Sequence, residues 1–271
     1  MMRLLFENLA EKHFSSARVE KFKGWIQAAN KATEKLDRKV NQYYKAEELI
    51  TFYALAPLAV ESYKEGVVEE ILRLAGVKVN VEKVDRMSFE ELVQPPTAYL
   101  SWIENEVKNH PIKYVREQAK DHKKRRKPLE TATHVDAVIE TDNLTIFFEM
   151  KFTSDISVQT TFNPCRNQLA RLVDVGISKA IQKRKKLVLL LCTPALFFVN
   201  KSRFYSHKII EYSDYEEIKR DIGWREKDDI EKCVSAVAWV SLESLVKATY
   251  KDFIHPDVEE ALSFFRERNL T

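Results

Sequence analysis

Apolar residues recur at helical spacing from early in the chain, with Val19, Phe22, Trp25 and Ile26 on one face. Ala, Leu, Lys and Glu dominate here, which predicts a helical extension over residues 1–56, punctuated by Pro57. LAVESYKEGVVEEILRLAG predicts a further helix, stopped by Gly76. VKVNVEKV then alternates and predicts a strand. Residues 86–130 carry short amphipathic segments between Pro95, Pro96 and Pro111, with Tyr99, Leu100 and Ile103 as an apolar stripe. They predict a helical insertion that runs into the basic stretch DHKKRRKPLE.

His134–Phe152, HVDAVIETDNLTIFFEMKF, has the period of two expected of strands. Leu144, Ile146, Phe148, Met150 and Phe152 make one wholly apolar face, and Glu149 and Lys151 share the other. Asp142-Asn143 reads as a two-residue hairpin loop, since both residues tolerate the positive φ of a type I′ turn. In that register Asp136 lies directly across from Glu149; a slip of one residue would separate them. Asn163-Pro164 predicts the start of a helix whose buried stripe is Leu169, Leu172, Val173 and Ala180. KKLVLLLCTP is a short continuous apolar run, as suits a strand covered on both faces. SAVAWVSL predicts another strand, SLESLVKATYKDF a helix, and Asp257 the cap of a last helix. The order implies an α/β fold, a mixed sheet flanked by helices.

Composition narrows the function. With 45% hydrophobic and 31% charged residues among 271, the chain supports a packed core. Only 5 residues are Gly, and no GxGxxG or GxxxxGK[ST] string occurs, so dinucleotide and P-loop sites are excluded. Net charge is +3, so nucleic-acid affinity would have to come from charge distribution rather than the total. Three widely spaced cysteines form no CxxC pair and read as buried thiols of a reducing cytoplasm. No apolar run approaches the ~20 residues of a membrane span. The histidines lack HExxH spacing, and no Gly-x-Ser-x-Gly string is present, which argues against zinc and serine hydrolases.

The awkward residues are therefore Asp136, Glu149 and Lys151. Two opposed carboxylates repel, and solvent, Lys151 or a cation must offset the repulsion. Mg²⁺ fits best, because it prefers oxygen ligands and is held by one or two carboxylates with water and phosphate. Lys151 would stabilise phosphate charge or, with a lowered pKa, help activate water.

Asp136, the hairpin and Glu149-Met150-Lys151 resemble the PD-(D/E)XK nuclease superfamily, which has the restriction-endonuclease-like fold. The motif is Asp, then an acidic residue, any residue and Lys on the neighbouring strand; Val135 stands where its Pro would be. The element order over about residues 58–192 is similar to the family core of helix, three strands, helix and strand. The resemblance implies Mg²⁺-dependent hydrolysis of phosphodiesters, with Mn²⁺ as a substitute and DNA as the expected substrate. Asp136, Glu149 and the Met150 carbonyl would hold the metal, and Lys151 would position or activate water. A helix Glu, chosen as Glu70 from Glu61, Glu65, Glu69 and Glu70, and Gln168 on the following helix would join them. Leu172 stands where some relatives carry Tyr.

Arg166 and Arg171 on that helix, and Lys124, Arg125 and Arg126 in the basic run, are candidates for phosphate contacts. KSRFYSHK mixes basic and aromatic residues that could stack on bases. Two other readings compete: a non-catalytic nucleic-acid-binding module of the same fold, and a helical partner-binding protein that dimerises through its first 56 residues.

Overall fold

Five strands pair in the order in which they occur along the chain in a computed structural model, which describes residues 2–31, 43, 45–60 and 65–271. They are β1 Val84–Val93, β2 Thr133–Thr141, β3 Leu144–Met150, β4 Lys186–Thr193 and β5 Val234–Ser241. The first three form an antiparallel meander, and β3, β4 and β5 run parallel. The expected mixed α/β architecture therefore holds, with the apolar run in β4 buried from Leu187 to Thr193.

Helices cover both faces. Ala137, Ile139, Ile146, Phe148, Val188 and Leu190 join one core with α1 Glu7–His13, α2 Ser16–Lys31, α3 Glu47–Ala59 and α4 Glu65–Leu74. Two C-terminal helices, here numbered α12 Leu242–Tyr250 and α13 Val258–Arg266, complete that layer. On the opposite face Val138, Phe147, Leu187, Leu189 and Leu191 pack under α7 Gln168–Lys183. Also on that side are α9 Phe204–Glu211, α10 Tyr215–Ile222 and α11 Lys227–Cys233, with α8 Ala195–Val199 following β4. A smaller cluster of Tyr99, Ile103, Val107 and Phe162 lies beneath α5 Thr97–Lys108, which is followed by α6 Lys113–Lys124. Among the described residues no helix is long and apolar enough to cross a membrane.

The division expected after residue 56 falls inside α3. This helix is apolar all round and buried from Leu49 to Ala59, as a helix enclosed by its neighbours must be. Pro57 lies within it and lacks the N–H that would bond the Tyr53 carbonyl. The Tyr250 hydroxyl donates to that carbonyl instead, at 2.7 Å, so the helix passes through its proline without an orphaned acceptor. Residues 4–26 join the same core rather than standing apart from it.

The first strand starts later than the sequence pattern suggests. Residues 77–83 form no ladder, because the Glu69 and Glu65 carboxylates accept the N–H groups of Val81 (2.9 Å) and Val84 (3.2 Å). β1 instead occupies residues assigned to the insertion, whose helical part is reduced to α5 and α6. Gly76 does end α4, at φ 75°, with the Val77 N–H reaching back to the Leu72 carbonyl at 2.8 Å.

Two expected caps are displaced. The helix predicted to begin at Asn163-Pro164 begins at Gln168, where the Asn167 side chain accepts the Ala170 N–H at 3.0 Å. Asp257 has no capping bond; its carboxylate binds Arg3 and the Phe6 N–H and so ties down the N-terminal segment. Of the thiols only Cys192 is buried, while Cys165 is exposed and Cys233 half-buried.

Tyr250→Phe leaves the Tyr53 carbonyl buried without a donor and is expected to cost about 1–3 kcal/mol in denaturant unfolding. Pro57→Ala in the same background restores an N–H for that carbonyl, so the double variant should recover most of the loss.

Candidate functional site

The β2–β3 register decides whether the charged residues meet. Pairing runs from Glu140↔Thr145 to Ala137↔Phe148, so Asp136 and Glu149 flank the last pair on facing strand ends. The predicted register is present, but the turn that sets it is different. Neither Asp142 nor Asn143 has positive φ. The Thr141 hydroxyl accepts the N–H groups of Asn143 (3.3 Å) and Leu144 (2.9 Å) and donates to the Asn143 side-chain carbonyl at 3.1 Å. A hydroxyl-closed turn thus replaces the type I′ geometry.

Lys151 Nζ lies 2.7 Å from Glu149 Oε1 and 3.5 Å from Glu47 Oε2. Gln168 Nε2 donates to Glu149 Oε1 at 2.5 Å, and the Met150 N–H donates to Asp136 Oδ2 at 2.7 Å. Glu149 is 2% exposed and Lys151 8%, while Asp136 is half-buried. The N–H and C=O of one strand residue leave from the same edge, which puts the Met150 carbonyl on the Asp136 side.

Glu47 was not among the sequence candidates. It stands in the first turn of α3, where Oε1 accepts the Phe152 N–H (3.0 Å) and the Ser154 hydroxyl (2.7 Å). The available signal was a pair of glutamates, Glu47 and Glu48, opening a largely apolar helix, but nothing local links Glu47 to Lys151.

Charge at this site is unbalanced. Asp136 is pushed well above the ordinary carboxylate range by burial and then by Glu149, against the pull of Lys151. Burial also raises Glu149, although Lys151 opposes it. For Lys151 burial favours the neutral amine, but Glu149, Glu47 and Asp136 together outweigh it and hold the group above its usual value. Lys151 is therefore held as an ammonium, and the lowered pKa expected of a proton acceptor is not found.

The carboxylates fit a hard divalent cation in a specific way. Each has one oxygen held by protein donors, while among the described residues no donor reaches Asp136 Oδ1 or Glu149 Oε2. Two carboxylate oxygens and a backbone carbonyl suit Mg²⁺, which retains several waters. Among the described residues there is no group of three or more His, Cys, Asp or Glu arranged to hold a metal. Glu47, whose oxygens are engaged, acts as a positioning group.

The other candidates divide. Gln168 and Arg171 lie three apart on α7 and share a face, and Arg171 adds positive potential at Glu149. Arg171 Nε is buried without a hydrogen-bond partner. Glu70 is not at the site; it pairs with Arg73 on the surface of α4 at 2.6 Å. Glu65 and Glu69 hold backbone N–H groups, and Glu61 lies outside the described residues. Arg166 cannot meet a phosphate, being 0% exposed, paired with Glu130 (2.8 Å) and Asp174 (2.9 Å), and stacked over Tyr99. In KSRFYSHK, Tyr205 is buried and Lys208 is paired with Asp221, so this segment offers little to a base. Lys124, Arg125 and Arg126 are exposed at the end of α6 within the insertion, with Arg125 paired to Asp121 at 2.9 Å.

Comparison with protein-family models, with curated proteins and with solved structures finds no match for this chain.

The raised Asp136 pKa has a defined linkage. Between the unfolded value and the higher folded one, the folded protein retains a proton that the unfolded chain releases, so stability falls as pH rises through that window. Asp136→Asn abolishes this ionisation. In EDTA its Tm should exceed that of the unmodified protein at pH 8, with the gap closing towards pH 4. Thermal unfolding across that range provides the check, and parallel pH profiles would contradict the assignment.

Proposed function

We propose that the chain is a divalent-metal-dependent nuclease that hydrolyses phosphodiester bonds, with DNA as its substrate. One observation carries this reading: Asp136 and Glu149 each present an unclaimed carboxylate oxygen at adjoining strand ends, beside a cationic Lys151. A surface ion pair would need neither the burial nor the excess of acid. The element order also supports the reading, since a helix, the β1–β2–β3 meander, α7 and parallel β4 follow the plan implied by the PD-(D/E)XK resemblance.

Asp136 Oδ1, Glu149 Oε2 and the Met150 carbonyl would hold Mg²⁺ or Mn²⁺. The bound ion supplies polarisation of the phosphate and a more acidic water. Gln168 fixes the Glu149 carboxylate through its donated hydrogen bond, and Glu47 fixes Lys151 from the opposite side. Lys151 would set its ammonium against the charge that develops on the phosphate, and Arg171 adds positive potential at Glu149. Water oxygen bonds to phosphorus as the bond to the leaving oxygen breaks, the water giving its proton to solvent and the leaving oxygen taking one from solvent. Lys151 contributes by electrostatics and water positioning rather than by accepting the proton.

The purified chain should cleave DNA with Mg²⁺ and not with EDTA. Lys151→Ala should lower turnover by about 10²–10³-fold, as loss of a transition-state charge partner does. Asp136→Asn should abolish cleavage while remaining folded. Parallel assays on duplex, single-stranded and branched DNA and on RNA identify the substrate, and undiminished cleavage by clean Asp136→Asn protein would refute the mechanism. Mg²⁺ should also raise the Tm of the unmodified protein but not that of Asp136→Asn, because only a competent site stabilises by mass action.

A further inference from the structure

The insertion between β1 and β2 contains an open two-helix groove that the proposed nuclease chemistry does not use. α5 and α6 are joined by residues 109–112, a connection short enough to make them antiparallel neighbours. α6 is amphipathic, yet it has no fully buried residue. A twelve-residue helix gains little from propensity alone and needs its apolar face covered. Between the two helices lies a cleft of about 690 Å³, floored by Leu100, Val107, Ala119 and Leu129.

The rim of the cleft is basic. Lys108, Arg116, Lys120, Lys123, Arg126 and Lys127 line it, against the single carboxylate of Glu104. Arg116 is held by backbone carbonyls and Lys120 by Glu117. The side chains of Lys108, Lys123, Arg126 and Lys127 have no ion pair among the described residues. Elsewhere buried or half-buried cations such as Lys151, Lys179, Lys208 and Arg225 have carboxylate partners. These four cations are themselves exposed, but clustered with Arg116 and Lys120 against one carboxylate they give the rim a positive potential that favours an anionic occupant.

The shape selects its class. Leu100, Glu104 and Val107 on α5, and Arg116, Lys120 and Lys123 on α6, follow the i, i+4, i+7 spacing of single helix faces. Two such faces with an apolar seam are completed by a third helix. No aromatic residue lines the cleft, so there is no platform for stacked bases. An apolar floor is also of little use to a phosphate backbone, which binds through charge. We propose that the α5–α6 groove docks an amphipathic helix of a partner protein, with leucine-like residues on the seam and acidic residues facing the α6 rim. The basic run then recognises a protein rather than the nucleic acid expected from its composition.

The probe is a synthetic peptide of about 18 residues, long enough for a marginal helix in water. It carries Leu at i, i+3, i+4 and i+7 with Glu on both flanks. Fluorescence anisotropy with the full chain should show saturable binding that weakens with salt, and hydrogen exchange in α6 should slow. Leu100→Glu and the pair Lys123→Glu/Arg126→Glu should each weaken binding at least about tenfold, with Tm unchanged to show that the fold survives. A peptide of the same composition in scrambled order, and one with Lys flanks, should bind at least about tenfold more weakly. Equal binding by the scrambled peptide, no binding by the designed one, or displacement of it by duplex DNA that depends on Lys123 and Arg126 would overturn the proposal. None of these readouts uses cleavage, so the result is independent of the nuclease assay.

Discussion

Three carboxylates converge on one ammonium at the open end of the β2–β3 pair, and much of the molecule is arranged to hold that imbalance. Glu149 comes from β3, Asp136 from β2 and Glu47 from α3; among the described residues Lys151 alone lies within ion-pair distance of Glu149 and Glu47, and it acts on Asp136 through its field. Burial makes each unpaired charge costly. Each acid is accordingly anchored by hydrogen bonds, from Gln168, from the Met150 N–H, and from Phe152 and Ser154. Such an arrangement costs stability, as the proposed cation site would and an ordinary ion pair would not.

The same hairpin provides its own comparison. Glu140 shares the strand and the face of Asp136, and it is 5% exposed. It receives the Thr145 hydroxyl at 2.9 Å and lies 3.4 Å from Lys179 and 3.6 Å from Lys185. Nearby Glu91 and Asp85 share those lysines and have Arg86 and Lys83 besides. Four bases answer three acids there. Two carboxylates on one strand, four residues apart, thus meet opposite treatment: one is neutralised by the fold and the other is left with a surplus of like charge.

How much of this was legible follows from the range of each interaction. Strand parity is a property of neighbouring residues, so the shared face of Glu149 and Lys151 could be read directly, while the meeting of Asp136 with Glu149 hung on the register of the turn. The register survived even though its turn depends on the Thr141 hydroxyl rather than on positive φ, because apolar pairs such as Ile139↔Ile146 enforce it from both faces. Glu47 was invisible because its bond to Phe152 spans 105 residues. Arg166 was misread for the same reason: its guanidinium belongs to Glu130, 36 residues earlier. Asn163-Pro164 is the stronger local start signal, but the buried Arg166 fixes the turn that follows it. Asn167 caps the helix instead, held by Tyr212 and Asp221 at 2.9 Å each.

These buried networks explain how Gln168 reaches the site at all. Arg166 bridges Glu130, just before β2, to Asp174 on α7, and Arg225 binds Asp174 from the far side. Asn167 is tied to Asp221, which also takes Lys208. The residue immediately before Gln168 and the one before that are therefore locked from opposite directions, and the Gln168 N–H is bound to the Ser157 carbonyl at 2.8 Å. Replacing such buried pairs with apolar groups of similar volume can be neutral for stability. Their value here lies in placement, since an amide that must meet Glu149 Oε1 at 2.5 Å tolerates little drift of the helix that carries it. The charged residues that looked like ligands in the sequence thus serve the candidate site from a distance, by fixing the start of α7 against β2.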